Sequence, residues 1–173
     1  MSDSPSAYCV FRLGAGLLAL DALAVSEVAM MEAPTYLPGC VRAVRGVSNL
    51  RGRALAVVDL AAVLDYTPTA DHGGPGQTKA GKADHRNTDQ LALVLRLPGC
   101  ECGVLVSAVD GVFAADPRGR RGANRAAEPA WISGFQEFAV PGAPVVVAAV
   151  VEVVELTARL IRLRSNFLSQ ATA

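Results

Sequence analysis

Net charge is the first thing this chain lacks. Sixteen lysines and arginines balance sixteen aspartates and glutamates, so no overall field draws it to nucleic acid or to an anionic bilayer. Charged residues are only 18% of the 173, low for a freely diffusing monomer, which points to a surface partly given over to partners. Histidine is nearly absent. His72 and His85 are the only two, so an imidazole acid–base catalyst would have to use one of them. Aromatics make up 5% and do not interleave with basic residues as base-stacking platforms do. No uncharged apolar run is long enough to span a bilayer, and the longest, Phe138 to Val151, is broken by Pro141, Gly142 and Pro144. Met1-Ser2-Asp3-Ser4-Pro5 has neither the basic start nor the apolar core of a secretory signal. The expectation is a cytoplasmic chain with no direct membrane insertion and no nucleic-acid partner. In that compartment Cys9, Cys40, Cys100 and Cys102 are expected as buried thiols without a disulfide framework. Cys100-x-Cys102 is too closely spaced for a zinc hairpin, and no second pair exists.

What is present is apolar and strand-like. Half the residues are hydrophobic, at 51%, enough for a substantial core in one domain. Strands are expected at Tyr8–Leu13, Leu17–Leu20, Val25–Met31, Val47–Leu50, Ala54–Val58, Leu91–Leu97, Cys102–Val106, Val109–Ala114, Ile132–Phe138 and Val145–Val150. Gly52 supplies the tight connection of a hairpin. Asp59 can cap a short helical turn over Leu60–Leu64. Residues 67–89 contain no aliphatic side chain larger than alanine and read as a linker. Asp116 to Glu128 reads as a polar loop. A C-terminal helix is expected from a cap near Thr157 through Leu168, with apolar positions at 160, 163, 167 and 168. Many short strands and one good helix argue a mainly β, barrel-type fold. The two apolar blocks flanking the linker suggest two small barrels packed together, a body over residues 8–156 with the helix and tail at 157–173.

Catalytic motifs are weak. Gly76 to Ala83 has the glycine–lysine spacing of a phosphate loop, but Ala83 stands where a magnesium-binding hydroxyl is required. The Asp71-His72 and Asp84-His85 dipeptides fall in the linker, where no preorganised metal geometry is expected. Arg118, Arg120, Arg121 and Arg125 form a basic run that reads as a solvated loop. Trp131, Phe135 and Phe138 read as core anchors. No nucleophile–base pair, carboxylate dyad or metal cluster is apparent, so neither catalysis nor a cofactor is expected.

One run is more specific. Arg45-Gly46-Val47-Ser48-Asn49-Leu50-Arg51-Gly52, continuing through Val57-Val58-Asp59-Leu60, resembles the signature of the CheW family, the adaptors of bacterial chemosensory arrays. Val10-Phe11-Arg12-Leu13-Gly14, Val25-Ser26-Glu27-Val28, Leu37-Pro38-Gly39 and Cys102-Gly103-Val104-Leu105-Val106 resemble its other elements, over roughly residues 8 to 156. Ser107, and the stretch Val146-Val147-Ala148-Ala149, depart from it, because the family usually has aspartate in each place. The resemblance implies two intertwined five-stranded SH3-like barrels and a non-catalytic role. It implies bridging between the cytoplasmic tips of methyl-accepting chemoreceptors and the regulatory domain of a CheA-type histidine kinase, at arrays on the inner membrane. The pathway would be flagellar chemotaxis or pilus motility. The alternative is a small regulatory or ligand-binding barrel without a kinase partner.

The expected partner-binding set is Arg51, Glu27, Val28, Val47, Asn49 and Gly52. Val28 and Val47 would present apolar surface to a helical hairpin. Arg51 would reach a partner carboxylate or helix end, or else bond across its own hairpin. Glu27 would make a partner contact or an internal ion pair. Asn49 and Asp59 also suit backbone turns.

Overall fold

The computed structural model describes residues 7–66, 90–124, 126, 128–139 and 144–170. Among them lie strands β1 (Ala7–Leu13), β2 (Gly16–Asp21), β3 (Val25–Met31), β4 (Val44–Leu50) and β5 (Arg53–Val58), then helix α1 (Leu60–Leu64). After residues 67–89, the segment read as a linker, which lies outside the described residues, come β6 (Gln90–Leu97), β7 (Cys100–Leu105), β8 (Ala108–Ala114), β9 (Arg120–Gly122), β10 (Ile132–Phe138), β11 (Val146–Val151) and helix α2 (Val153–Gln170). The strands form a six-stranded sheet, ordered β8-β1-β2-β11-β10-β9, and a five-stranded sheet, ordered β3-β6-β7-β5-β4. The expected pair of five-stranded units is thus met in one sheet and exceeded in the other by the three-residue β9.

The sheets do not follow the two apolar blocks. β3, β4 and β5 precede residues 67–89, yet they share a sheet with β6 and β7, which follow. β1 and β2 likewise join strands from the far end of the chain, with Ala149 and Val150 of β11 parallel to Leu18 and Ala19 of β2. Residues 67–89 therefore connect two strands of one sheet and do not separate the sheets. Composition marks where chain is polar. It does not record which strands pair across the gap.

Burial explains the unbroken apolar runs. Cys9, Phe11 and Leu13 of β1 face a large shared cluster with Leu93, Leu95 and Leu97 of β6 and Leu156 and Leu160 of α2. The alternate residues Ala92 and Val94 face a second cluster with Met31, Leu50, Leu55 and Val57. Val10 faces a third with Phe138, Ala148 and Val150. Strands covered on both faces need apolar side chains at every position. Trp131 and Phe138 are buried as expected, while Phe135 is half-buried. Cys9 and Cys102 are buried, but Cys40, in the segment between β3 and β4, and Cys100, at the first position of β7, are only half-buried; none forms a disulfide.

Two expectations fail for local reasons. Thr157 does not cap the C-terminal helix. It lies inside α2, its hydroxyl donating to the Val153 carbonyl at 2.7 Å. The helical stripe begins at Val153 and continues through Leu156, Leu160 and Leu163, hidden behind the valine run of β11. The Asp116–Glu128 segment contains β9, three exposed residues paired with β10, which have no apolar pattern to announce a strand. Asp59 behaves as expected, its carboxylate accepting the Ala62 N–H at 3.2 Å.

The five-stranded sheet curls until its ends nearly meet. Just past β3, Thr35 exchanges both backbone hydrogen bonds with Val47 of β4, at 2.8 and 3.0 Å, and the Ser48 hydroxyl donates to the Glu32 carbonyl at 3.0 Å. This approach requires Gly46. Its φ is +139°, and any Cβ there would collide with the Thr35 carbonyl oxygen.

Candidate functional site: a charged groove at the end of the five-stranded sheet

The β4–β5 hairpin turns in two residues. Leu50 pairs with Arg53, and Arg51 and Gly52 between them both have positive φ, 51° and 83°. Two left-handed residues match the right-handed twist of the flanking strands. Glycine adopts this conformation without penalty, but arginine is strained by about 1–2 kcal/mol. Asn49 offsets part of that, its side-chain oxygen accepting the Gly52 N–H at 2.8 Å. The turn thus holds the Arg51 side chain, 77% exposed, out from the sheet end.

Arg51 is met there by Glu27 of β3, with Nη2 to Oε2 at 2.9 Å. Glu27 shares the parity of Ala29 and Met31, which face the sheet's inner cluster, so its carboxylate sits at the mouth of the curled sheet and is 22% exposed. Of the alternatives open in the sequence, the pair is intramolecular, but with β3 and not across the hairpin. Exposed pairs of this kind contribute about 0.2–1 kcal/mol.

Beside the pair lies an open groove of about 550 Å³, lined by Leu23, Val25, Glu27, Arg51 and Arg96 among others. Asp21 builds one wall. Its carboxylate accepts the Leu23 N–H at 3.0 Å, capping a 3-10 turn over Ala22–Ala24 that leaves Leu23 91% exposed. Of the six residues named from sequence, the structure brings Arg51 and Glu27 into this groove. Gly52 and Asn49 shape the turn. Val28 is exposed on the outward face of β3, and Val47 is half-buried in the bridge to Thr35. Leu23 and Arg96 were missed. Arg96 has a signal in hindsight, as the only charge in the apolar strand Gln90–Leu97.

The other motifs carry little. The glycine–lysine spacing and both Asp-His dipeptides lie outside the described residues, as does Arg125. Arg118, Arg120 and Arg121 are exposed, and Arg121 pairs with Glu137 at 3.3 Å. Among the described residues no group of three or more metal-ligating side chains forms, and no helix is long and apolar enough to cross a membrane. A hydrogen bond with Cys100 and burial both raise the Cys102 thiol pKa, and burial alone raises that of Cys9. These are poor nucleophiles. Ser107 has a structural task. Its hydroxyl accepts the Gly14 N–H at 3.1 Å and its N–H donates to the Arg12 carbonyl at 2.8 Å, so it secures the β1–β2 turn.

Two sheets around a shared core, the five-stranded one curled, define a mainly β, two-sheet fold. A model of the CheW-like domain matches residues 7–139, and the chain belongs to that family of chemotaxis scaffolds. Among solved structures it is similar to the scaffolding protein TtCheW from Thermoanaerobacter tengcongensis, with a TM-score of 0.63 and 22% identity over 86% of this chain and 90% of that one. That likeness is one of fold. No curated protein matches the chain in sequence.

Proposed function

We propose that this chain is a non-catalytic adaptor that couples chemoreceptors to a CheA-type histidine kinase in a bacterial chemosensory array. The observation that carries the reading is the groove in which Arg51 and Glu27 meet, within a CheW-like fold. A recognition site needs a rigid frame and an accessible polar anchor beside apolar surface. Here the two-residue turn and the Gly46 approach supply the frame. Arg51 and Glu27 supply the anchor, and Leu23 the apolar surface. Val28 and Val47 lie on the edge strands β3 and β4 of the same sheet, and Asn49 and Gly52 shape its turn. One partner is the helical tip of a receptor, the other the kinase's regulatory domain, which places the adaptor in the cytoplasm beneath the membrane.

The reading is tested by pull-down of the cognate kinase and of a receptor fragment with the full chain. Capture of both supports it. Capture of neither overturns it in favour of a small regulatory barrel without a kinase partner.

A further inference from the structure

β7 opens with two cysteines on one face. Cys100 and Cys102 are two residues apart on the strand, so both side chains stand on the same side of it. Both pack on the shared core, Cys102 as a buried member and Cys100 as a half-buried neighbour, and the two thiols hydrogen-bond to each other. Residues two apart on a strand span about 6.6–6.8 Å, the upper end of the roughly 4.4–6.8 Å between Cα atoms that a disulfide bridges. Closing such a bond takes a pinch of the strand that draws the Cβ atoms to about 3.5–4.5 Å. The chain can yield at one end. Cys100 is the first residue of β7, and at Gly99 of the turn before it φ is +73°, with nothing within 4 Å of a Cβ there. Glu101 stands between the cysteines on the opposite face. Its carboxylate is held by Arg53 at 3.3 Å and by Arg96 at 3.6 Å, and Arg96 lines the groove.

We infer that Cys100 and Cys102 form a redox-active dithiol, closed to a disulfide by a peroxide, and that closure loosens the hold of Arg53 and Arg96 on Glu101. Cys100 reacts first, because it is the half-buried thiol and Cys102 is only 2% exposed. Its sulfur attacks the peroxide. An S–O bond forms, the O–O bond breaks, and the departing hydroxide leaves with the thiol proton as water. Cys102, kept protonated by its hydrogen bond with Cys100 and by burial, is the resolving partner. Its sulfur attacks the sulfenic sulfur of Cys100. The S–S bond forms, the S–O bond breaks, and hydroxide leaves with the Cys102 proton as a second water. Two thiols thus give two electrons and two hydrogens to one peroxide, and the product is neutral, which suits its apolar surroundings. A bond strained by the pinch is reopened by exchange with an external dithiol, which is oxidised in its place. That is the behaviour of a sensor and not of a structural cross-link. The same pinch pushes Glu101 outward, away from Arg53 and Arg96, so the oxidation is felt at the groove wall.

The test treats the full chain with hydrogen peroxide, alkylates the remaining thiols, and maps the cysteines by non-reducing digestion and mass spectrometry. The peptide carrying Cys100 and Cys102 should be unalkylated and lighter by two hydrogens, and dithiothreitol should restore both thiols. Cys102→Ala should halt Cys100 as a sulfenic acid that dimedone traps. Cys100→Ala should leave Cys102 unmodified. In nuclear magnetic resonance spectra the Nε–H signals of Arg53 and Arg96 should shift on oxidation, return on reduction, and stay in place in peroxide-treated Cys102→Ala. The mapping of the parent decides the matter even where a variant fails to fold. Oxidation confined to Cys40, or a Cys100 that proceeds to sulfinic acid in the parent without the bond, overturns the inference. A disulfide that leaves both arginine signals unmoved overturns the link to Glu101 and the groove.

Discussion

Replacing Gly46 by alanine tests whether the bridge between Thr35 and Val47 secures the curled sheet. Two terms act together. At φ +139° a side chain is strained by about 1–3 kcal/mol. The new Cβ also meets the Thr35 carbonyl, so the bridge must open. Its two hydrogen bonds, 2.8 and 3.0 Å, are each worth about 0.5–1.5 kcal/mol. A combined loss of about 2–6 kcal/mol lowers the thermal midpoint by roughly 4–24 °C in a chain of this size. Gly52→Ala is the control. Its φ is also positive, at 83°, but nothing lies within 4 Å of its Cβ, so only strain of about 1–2 kcal/mol remains. Thermal and urea unfolding of the two variants give the comparison. If Gly46→Ala is no more destabilising than Gly52→Ala, the bridge does not secure the sheet and the reasoning fails.

Val57, fully buried in the inner cluster of the five-stranded sheet, should not tolerate aspartate. An unpaired buried carboxylate costs several kcal/mol, so Val57→Asp should be recovered unfolded or insoluble, and a folded soluble variant would contradict this core. Arg159 joins the helices, its Nη1 donating to the Val63 carbonyl and to Asp65, both at 3.1 Å. Arg159→Met keeps the stem and removes these bonds, and chemical denaturation should register a loss of about 1–3 kcal/mol. Cys9 and Cys102 have pKa values raised above the ordinary thiol value of 9.0. Their contribution to stability is therefore fully present below that value and is lost as pH rises toward their folded pKa values, because the unfolded chain ionises first. Replacing both with alanine should flatten this alkaline decline in a pH series of unfolding curves.

Much of the frame is legible in the residues because it is local. The bounds of β3 and β10 match those read from their residues, and Asp59 announces its cap by chemistry alone. The hairpin follows from Gly52. What escapes is whatever depends on distant chain. Glu27 sits on β3 and Arg51 in the β4–β5 turn, and only the curl of the sheet brings them together. The exchange of strands across residues 67–89 leaves no local mark, because pairing is set by the shared core and not by neighbours in sequence. β9 escapes for a different reason. Its Arg-Arg-Gly is a strand by backbone pairing with β10 alone. The start of α2 is masked because valines dominate both β11 and the first residues of the helix, and only the stripe from Val153 through Leu163 separates helix from strand. Ser107 shows the limit of motif reading. It departs from the family's usual aspartate, yet its hydroxyl holds the Gly14 N–H.

The central claim is that the Arg51–Glu27 groove is the recognition site of an adaptor. Titration of a receptor hairpin and of the kinase regulatory domain against the parent and Arg51→Glu tests it most directly. The reversal sets two carboxylates side by side at the sheet mouth and changes the groove by two charges, while Asn49 and Gly52 still close the turn. Far-ultraviolet circular dichroism should match the parent, and affinity for at least one partner should fall by about tenfold or more. Adding Glu27→Arg restores an internal pair with its polarity reversed and should not restore binding. Parental affinity for both partners in a folded Arg51→Glu variant would contradict the claim.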